Sequence, residues 1–78
     1  MAVVKHSIQE HDVVALRERV GGWAAGTTGT AISIYDDAAL VEVSDHETGE
    51  ALDIFVVPAD RLEVTWRVAD HERPAMEA

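Results

Sequence analysis

With 78 residues, no cysteine and a net charge of −9 from 15 acids against 6 bases, the chain is sized for one small domain and has no disulfide or thiolate metal site. That charge works against nucleic acids and anionic membranes as partners, because binding to either rests on Lys and Arg meeting phosphates. The composition is nevertheless 47% hydrophobic and rich in Val and Ile, which argues for a folded domain over an acidic disordered chain.

A domain of this length hides only roughly 60–65% of its unfolded surface, so a thin core is expected. Met1 to Ser7 holds no long apolar run and no segment is long enough to span a bilayer, so neither a secretory leader nor a membrane anchor is expected. Secreted domains of this size usually carry disulfide staples, and the cysteine-free composition instead fits a reducing compartment. The expected location is the cytoplasm.

In chain order, residues 1–11 show no clean period and read as an N-terminal tail or edge strand. Asp12 to Leu16 is a short, apolar, β-branched strand. Arg17 to Thr28 is irregular, with Gly21-Gly22 and Gly26 as turn signals and Trp23 between them. So long a loop in so small a domain is a place to expect function. Thr28 to Tyr35 reads as a second strand, with Thr30, Ile32 and Ile34 on one face and Ala31, Ser33 and Tyr35 on the other. Gly29, just inside it, permits a bend or a close backbone approach.

Asp36-Asp37 makes a tight connection into a third strand, Ala39 to Ser44, with Ala39, Val41 and Val43 inward and Leu40, Glu42 and Ser44 outward. Asp45 to Gly49 is a hairpin turn. Ala51 to Val57 is a fourth strand, with Leu52, Ile54 and Val56 on the face opposite Ala51, Asp53, Phe55 and Val57. Ile32, Val41 and Ile54 are expected in the core, and Glu42 and Asp53 in solvent. Pro58 to Asp60 breaks the strand with one turn of 3₁₀ helix, and Leu62 to Trp66 is the fifth strand. Residues 67–78, with Pro74, read as a C-terminal tail, a short terminal helix being the alternative.

Five short strands, a long first loop, two tight hairpins and a one-turn break before the last strand are the layout of a small SH3-like barrel over residues 12–66. Closure of the sheet would remove exposed edges. The stretches Asp12-Val-Val-Ala-Leu16, Gly26-Thr-Thr-Gly29-Thr30 leading into Ala31-Ile-Ser-Ile-Tyr35, Val41-Glu42-Val43, Gly49-Glu50 and Pro58-Ala-Asp60-Arg61-Leu62 carry a resemblance. In them the chain resembles a family of small bacterial SH3-like proteins catalogued as domain of unknown function 4926. The resemblance covers about two thirds of the chain, from Asp12 to Trp66. It implies the barrel. Members of this type are small stand-alone proteins often found beside toxin-like genes, so it also implies an antitoxin or immunity role. It carries over no functional residue. This chain departs from the family in the apolar Gly21-Gly22-Trp23 of the first loop and in Arg61-Leu62-Glu63-Val64, which runs past the usual stop.

No residue pattern points to catalysis. Asp36-Asp37 is a carboxylate pair, but neighbours on a strand point to opposite faces and Asp is a common turn former, so a turn role is expected. His6, His11, His46 and His71 are scattered over tails and turns, where a zinc site wants three or four converging ligands. Ser7, Ser33 and Ser44 lack the G-x-S-x-G context of a nucleophile. Gly26-x-x-Gly29 lacks the Lys-Ser/Thr and helix start of a phosphate loop. The chain is therefore expected to be no enzyme and to hold no metal or cofactor.

From Ala31 to Asp60 it carries eight carboxylates and neither Lys nor Arg. Alternating with apolar residues, these acids are expected to form one outer patch. The expected function is that of a non-catalytic protein-binding module: an immunity or antitoxin-type inhibitor that occludes a basic, nuclease-like toxin. Its candidate binding residues are Asp36, Asp37, Asp45, Glu47, Glu50 and Asp53, with Trp23 and Tyr35 as aromatic anchors. The alternative is an SH3-like scaffold or accessory module of an enzyme or larger complex, an expectation from fold analogy.

Overall fold

The computed structural model describes residues 6–71. Within them the protein is all-β, with strands β1 Val13–Leu16, β2 Thr28–Ile34, β3 Ala38–Ser44, β4 Ala51–Pro58 and β5 Leu62–Trp66. Single 3₁₀ turns follow β4 at Ala59–Arg61 and β5 at Val68–Asp70. The strands form one antiparallel sheet in the order β4-β3-β2-β1-β5.

β3 fixes which side of the sheet is inside. Its alternation buries Ala39, Val41 and Val43, as the sequence indicates. Partners across a ladder share a face. The register sets Val57 against Ala39, Phe55 against Val41 and Asp53 against Val43, so the inner row of β4 is the Asp53–Phe55–Val57 row. Val57 is buried and Phe55 packs on the core, while Leu52, Ile54 and Val56 keep 52, 49 and 54% of their surface exposed. The expectation that Ile54 holds the core is thus corrected. Both faces of β4 are apolar enough to be inside, and only the pairing with β3 decides between them.

β2 departs from strict alternation for a different reason. Its register with β3 shifts between Ala31 and Ser33, which inserts Ile32 as an extra residue. A bulge of one residue reverses the parity of the strand beyond it. Ala31 is therefore buried opposite Val41, Ile34 packs on the core opposite Ala39, and Ile32 is only partly buried. Gly29 allows the close approach foreseen for it: a Cβ there would sit 2.7 Å from both the Glu42 carbonyl oxygen and Val41 Cγ1.

The sheet is open rather than closed into a barrel. β5 is spent on β1, pairing Val13, Val14, Ala15 and Leu16, and then leads into a 3₁₀ turn. No described strand pairs with the far side of β4.

The folded unit also extends beyond residues 12–66. Residues 6–11 form no strand, yet Ile8 is buried in the core with Val14, Leu16, Val41, Val57 and Leu62. Asp12, 1% exposed, accepts the Gln9 N–H on Oδ2 and the Val68 N–H on Oδ1, both at 2.9 Å. One buried carboxylate thereby ties the segment before β1 to the turn after β5. Arg67 adds bonds to the Ser7 carbonyl and hydroxyl at 3.0 and 3.1 Å. The outer parts of the two expected tails, residues 1–5 and 72–78, lie outside the described residues.

Candidate functional site

The β3–β4 hairpin positions most of the candidate binding residues, and it places them at two ends rather than in one patch. At one end, Tyr35, Asp36 and Asp37 form the exposed β2–β3 connection, closed by Tyr35 N–H to the Ala38 carbonyl at 2.9 Å. Ala59 N–H donates to the Asp37 carbonyl at 2.8 Å, which brings Asp60 to the same end. His6, Asp37, Pro58, Ala59 and Asp60 line an open hollow of ≈ 350 Å³ there. His6 Nε2 contacts the Tyr35 carbonyl oxygen at 2.8 Å.

At the other end, Asp45, Glu47 and Glu50 sit on the β3–β4 turn. Asp45 builds it: Oδ1 accepts the N–H groups of Glu47 and Thr48 at 2.7 and 3.2 Å. Its backbone exchanges bonds with Gly49 and Glu50 at 2.8 Å, and Gly49 takes φ 78, which an L side chain adopts only under strain. Eight residues of β4 at about 3.3 Å each separate the two acidic ends by about 25 Å. One coherent patch is therefore replaced by two, with Glu42 half-buried between them.

Trp23 reaches the second end from the long first loop. Val20 and Trp23 exchange both backbone bonds, at 3.0 and 2.9 Å, across the Gly21-Gly22 turn. Both side chains pack against the core, so Trp23 is in part a core residue despite its place in a loop. Its Nε1 donates to Asp53 Oδ2 at 2.9 Å, and Asp53 Oδ1 accepts the Ile54 N–H at 2.9 Å. Asp53 thus stands on the inner row of β4 but at the open end of the sheet, where a carboxylate stays solvated. Trp23, Thr27, Val43, Asp45, Glu47 and Leu52 line a groove of ≈ 590 Å³ beside it. Tyr35, the other proposed anchor, lies at the opposite end of the hairpin, so the two aromatics do not converge.

Of the described arginines only Arg61, next to Asp60, lies near these acids, and it is engaged elsewhere. Arg17 Nε donates to the Leu62 carbonyl at 2.9 Å, Arg61 pairs with Glu18 at 3.2 Å, and Arg67 lies 3.8 Å from Asp12. Arg19 follows β1 in the same loop. Among the described residues charge is therefore uneven across the sheet, with acids that have no counter-ion on the β3–β4 hairpin and mixed charge on the β1–β5 side. Asp36, Asp37, Glu47 and Glu50 are exposed and their carboxylates make no hydrogen bond or ion pair among the described residues.

No group of three or more His, Cys, Asp or Glu converges as a metal site among the described residues. No helix among them is long and apolar enough to cross a membrane. Two features escaped the sequence reading. The exposed Leu52–Ile54–Val56 row could have been found by carrying β3's inward set across the hairpin. The Asp12–Val68 contact spans 56 positions and has no local signal. Comparison with protein-family models, curated proteins and solved structures gives no match to this chain.

Proposed function

We propose that this chain is a non-catalytic protein-binding module of the cytoplasm that captures a basic protein and occludes its groove, in the manner of an immunity protein or antitoxin facing a nuclease-like toxin. The observation that carries this reading is the uneven charge: carboxylates with no described partner at both ends of the β3–β4 hairpin, with Arg17, Arg19 and Arg67 beside β1 and β5 and Arg61, next to Asp60, engaged by Glu18. Such a field speeds encounter with a basic surface and repels nucleic acid that competes for it. The resemblance of residues 12–66 to the stand-alone SH3-like family points the same way. No chemistry is needed; affinity comes from what the acids and the adjoining apolar surface cover.

The side-chain bonds decide which residues can test this. Asp45 builds its turn and Asp53 holds Trp23, so reversing them would damage the fold. Reversing Asp36, Asp37, Glu47 and Glu50 to Lys changes charge alone. Association with the product of the adjacent gene should slow by at least about tenfold in that variant, and likewise on raising salt from about 50 to about 500 mM. Unchanged association in both would remove the charge mechanism. The exposed Leu52, Ile54 and Val56 favour a second reading, an accessory module docking through apolar surface, whose binding salt would leave nearly unaltered.

A further inference from the structure

β4 is an edge strand of eight residues whose outer side has no partner strand among the described residues. Edge strands in soluble proteins are usually blunted by Lys, Pro, bulges or a covering segment. Here a bulge at Leu52 interrupts the start of the strand, and from Asp53 onward the defences are few. Pro58 closes the far end, and Asp53 covers one donor by accepting the Ile54 N–H at 2.9 Å. Ile54 and Pro58 have the same parity. The first gives its N–H to a side chain and the second has none, so the alternation of an antiparallel ladder puts Ile54 and Val56 on the row whose backbone groups turn away from β3, while Leu52 is the extra residue of a bulge between Asp53 opposite Val43 and Ala51 opposite Ser44. Those three residues also carry the exposed apolar side chains. Backbone hydrogen-bonding capacity and apolar contact surface coincide on one segment, and an acidic cluster stands at each of its ends.

We infer that the β4 edge docks an extended segment of the basic partner, which adds to the sheet as a sixth strand. The inference rests on the basic-partner reading above and names how that partner is held. The segment has apolar residues at alternate positions, lying beside Leu52, Ile54 and Val56. It has Lys or Arg at both ends, facing Glu47 and Glu50 on one side and Asp37 and Asp60 on the other, and a basic residue opposite Asp53. One of its carbonyls replaces Asp53 as acceptor for the Ile54 N–H, which frees a carboxylate oxygen for that basic residue. Main-chain bonds supply affinity and the alternation supplies specificity. Charge decides against a second copy as the occupant. Two β4 edges set antiparallel bring the Asp45–Glu50 turn of one against the Asp37–Asp60 end of the other, and a β5 edge offers only mixed charge.

The probe is the synthetic peptide Lys-Lys-Val-Thr-Val-Lys-Val-Lys-Lys, which added antiparallel sets its inner lysine opposite Asp53, compared with the same peptide carrying proline for its central valine. Charge and length are equal, and only the first can complete a strand. Loss of one or two backbone bonds corresponds to roughly tenfold in Kd, so the strand peptide should bind about tenfold more tightly at low salt. It should also slow amide exchange at Ile54 and Val56. Val56→Pro removes an outward N–H and should abolish the preference between peptides while keeping the salt-sensitive attraction. Should that variant fail to fold, Ile54→Lys on the same row must also lose the preference. Equal binding of the two peptides to the full chain overturns edge docking and leaves capture of a basic protein standing. Binding of neither at low salt overturns both. Protection of these amides in the chain alone, deepening with protein concentration, places a second copy on the edge and overturns the inference.

Discussion

Asp12 is the residue whose loss the fold should tolerate least. It is 1% exposed, and its carboxylate accepts two backbone N–H groups at 2.9 Å from opposite ends of the described chain, Gln9 and Val68. The guanidinium of Arg67 stands 3.8 Å away and is 40% exposed, so it contributes little directly. Hydrogen bonds to an ionised group are worth about 1.5–3 kcal/mol each, and removing the acceptor leaves two donors unpaired. Asp12→Ala should therefore cost about 3–5 kcal/mol. Against the roughly 4–12 kcal/mol expected of a domain this long, that is about a quarter of the stability or more. Asp12→Asn keeps one carbonyl oxygen but presents an NH₂ to the other donor, and about 2 kcal/mol is expected. Urea unfolding followed by Trp23 and Trp66 fluorescence measures this directly: with a slope of about 1 kcal/mol per molar, Asp12→Asn lowers the midpoint by about 2 M. Arg67→Ala should cost about 1 kcal/mol or less. An Asp12→Ala protein within about 1 kcal/mol of the parent, or an Arg67→Ala protein destabilised as much as Asp12→Ala, would refute the assignment of this carboxylate as the clasp between the two segments.

Three further outcomes are expected. Gly29→Ala places a Cβ 2.7 Å from β3 backbone and should cost about 2–3 kcal/mol in the same urea assay, whereas Gly22→Ala, with open space around it, should change little. Leu16→Ala, in the core, should cost about 2–5 kcal/mol, while Leu52→Ala on the outer row of β4 should stay within about 0.5 kcal/mol; similar values for the two would mean the face assignment of β4 is wrong. Trp23→Phe removes the bond to Asp53 but keeps a ring against the core, so stability should fall by only about 0.5–1.5 kcal/mol, and exchange of the Ile54 amide should quicken if Asp53 is released to move.

The strands were legible because period-2 alternation is strong here: β5 begins and ends where its pattern does, and β3 buries the three residues its spacing selects. Two kinds of information were not local. Which face of β4 is inner depends on a register with β3, and both faces carry Leu, Ile, Val or Phe. Where β2 changes parity depends on a bulge at Ile32, in a stretch with no glycine or proline to mark it. The site residues divide in the same way. Asp45 has the turn role its type and place suggest, whereas the Trp23–Asp53 bond joins residues 30 apart and required the fold to see. Acids that look continuous along the sequence are separated because a hairpin sends its two ends in opposite directions.

The two edges of the sheet are managed differently, and the contrast bears on function. At the β1–β5 side the chain spends side chains on the backbone: Arg17 on the Leu62 carbonyl, Thr65 on the Val13 carbonyl, Arg67 on Ser7, Asp12 on Val68. Trp66 and His71 stack beside it with ring centroids 4.4 Å apart. These contacts lock both ends of the described chain to that side. At the β4 side, among the described residues, only Asp53 plays such a part, and it bonds a single outward N–H. A thin-cored domain gains most from satisfying its backbone, so an edge left this open is either a liability or a surface with an occupant. A net charge of −9 opposes self-association and favours a chain of opposite sign at this edge. On the edge-docking proposal the acids at its ends have a role that none has alone: they select which strand completes the sheet.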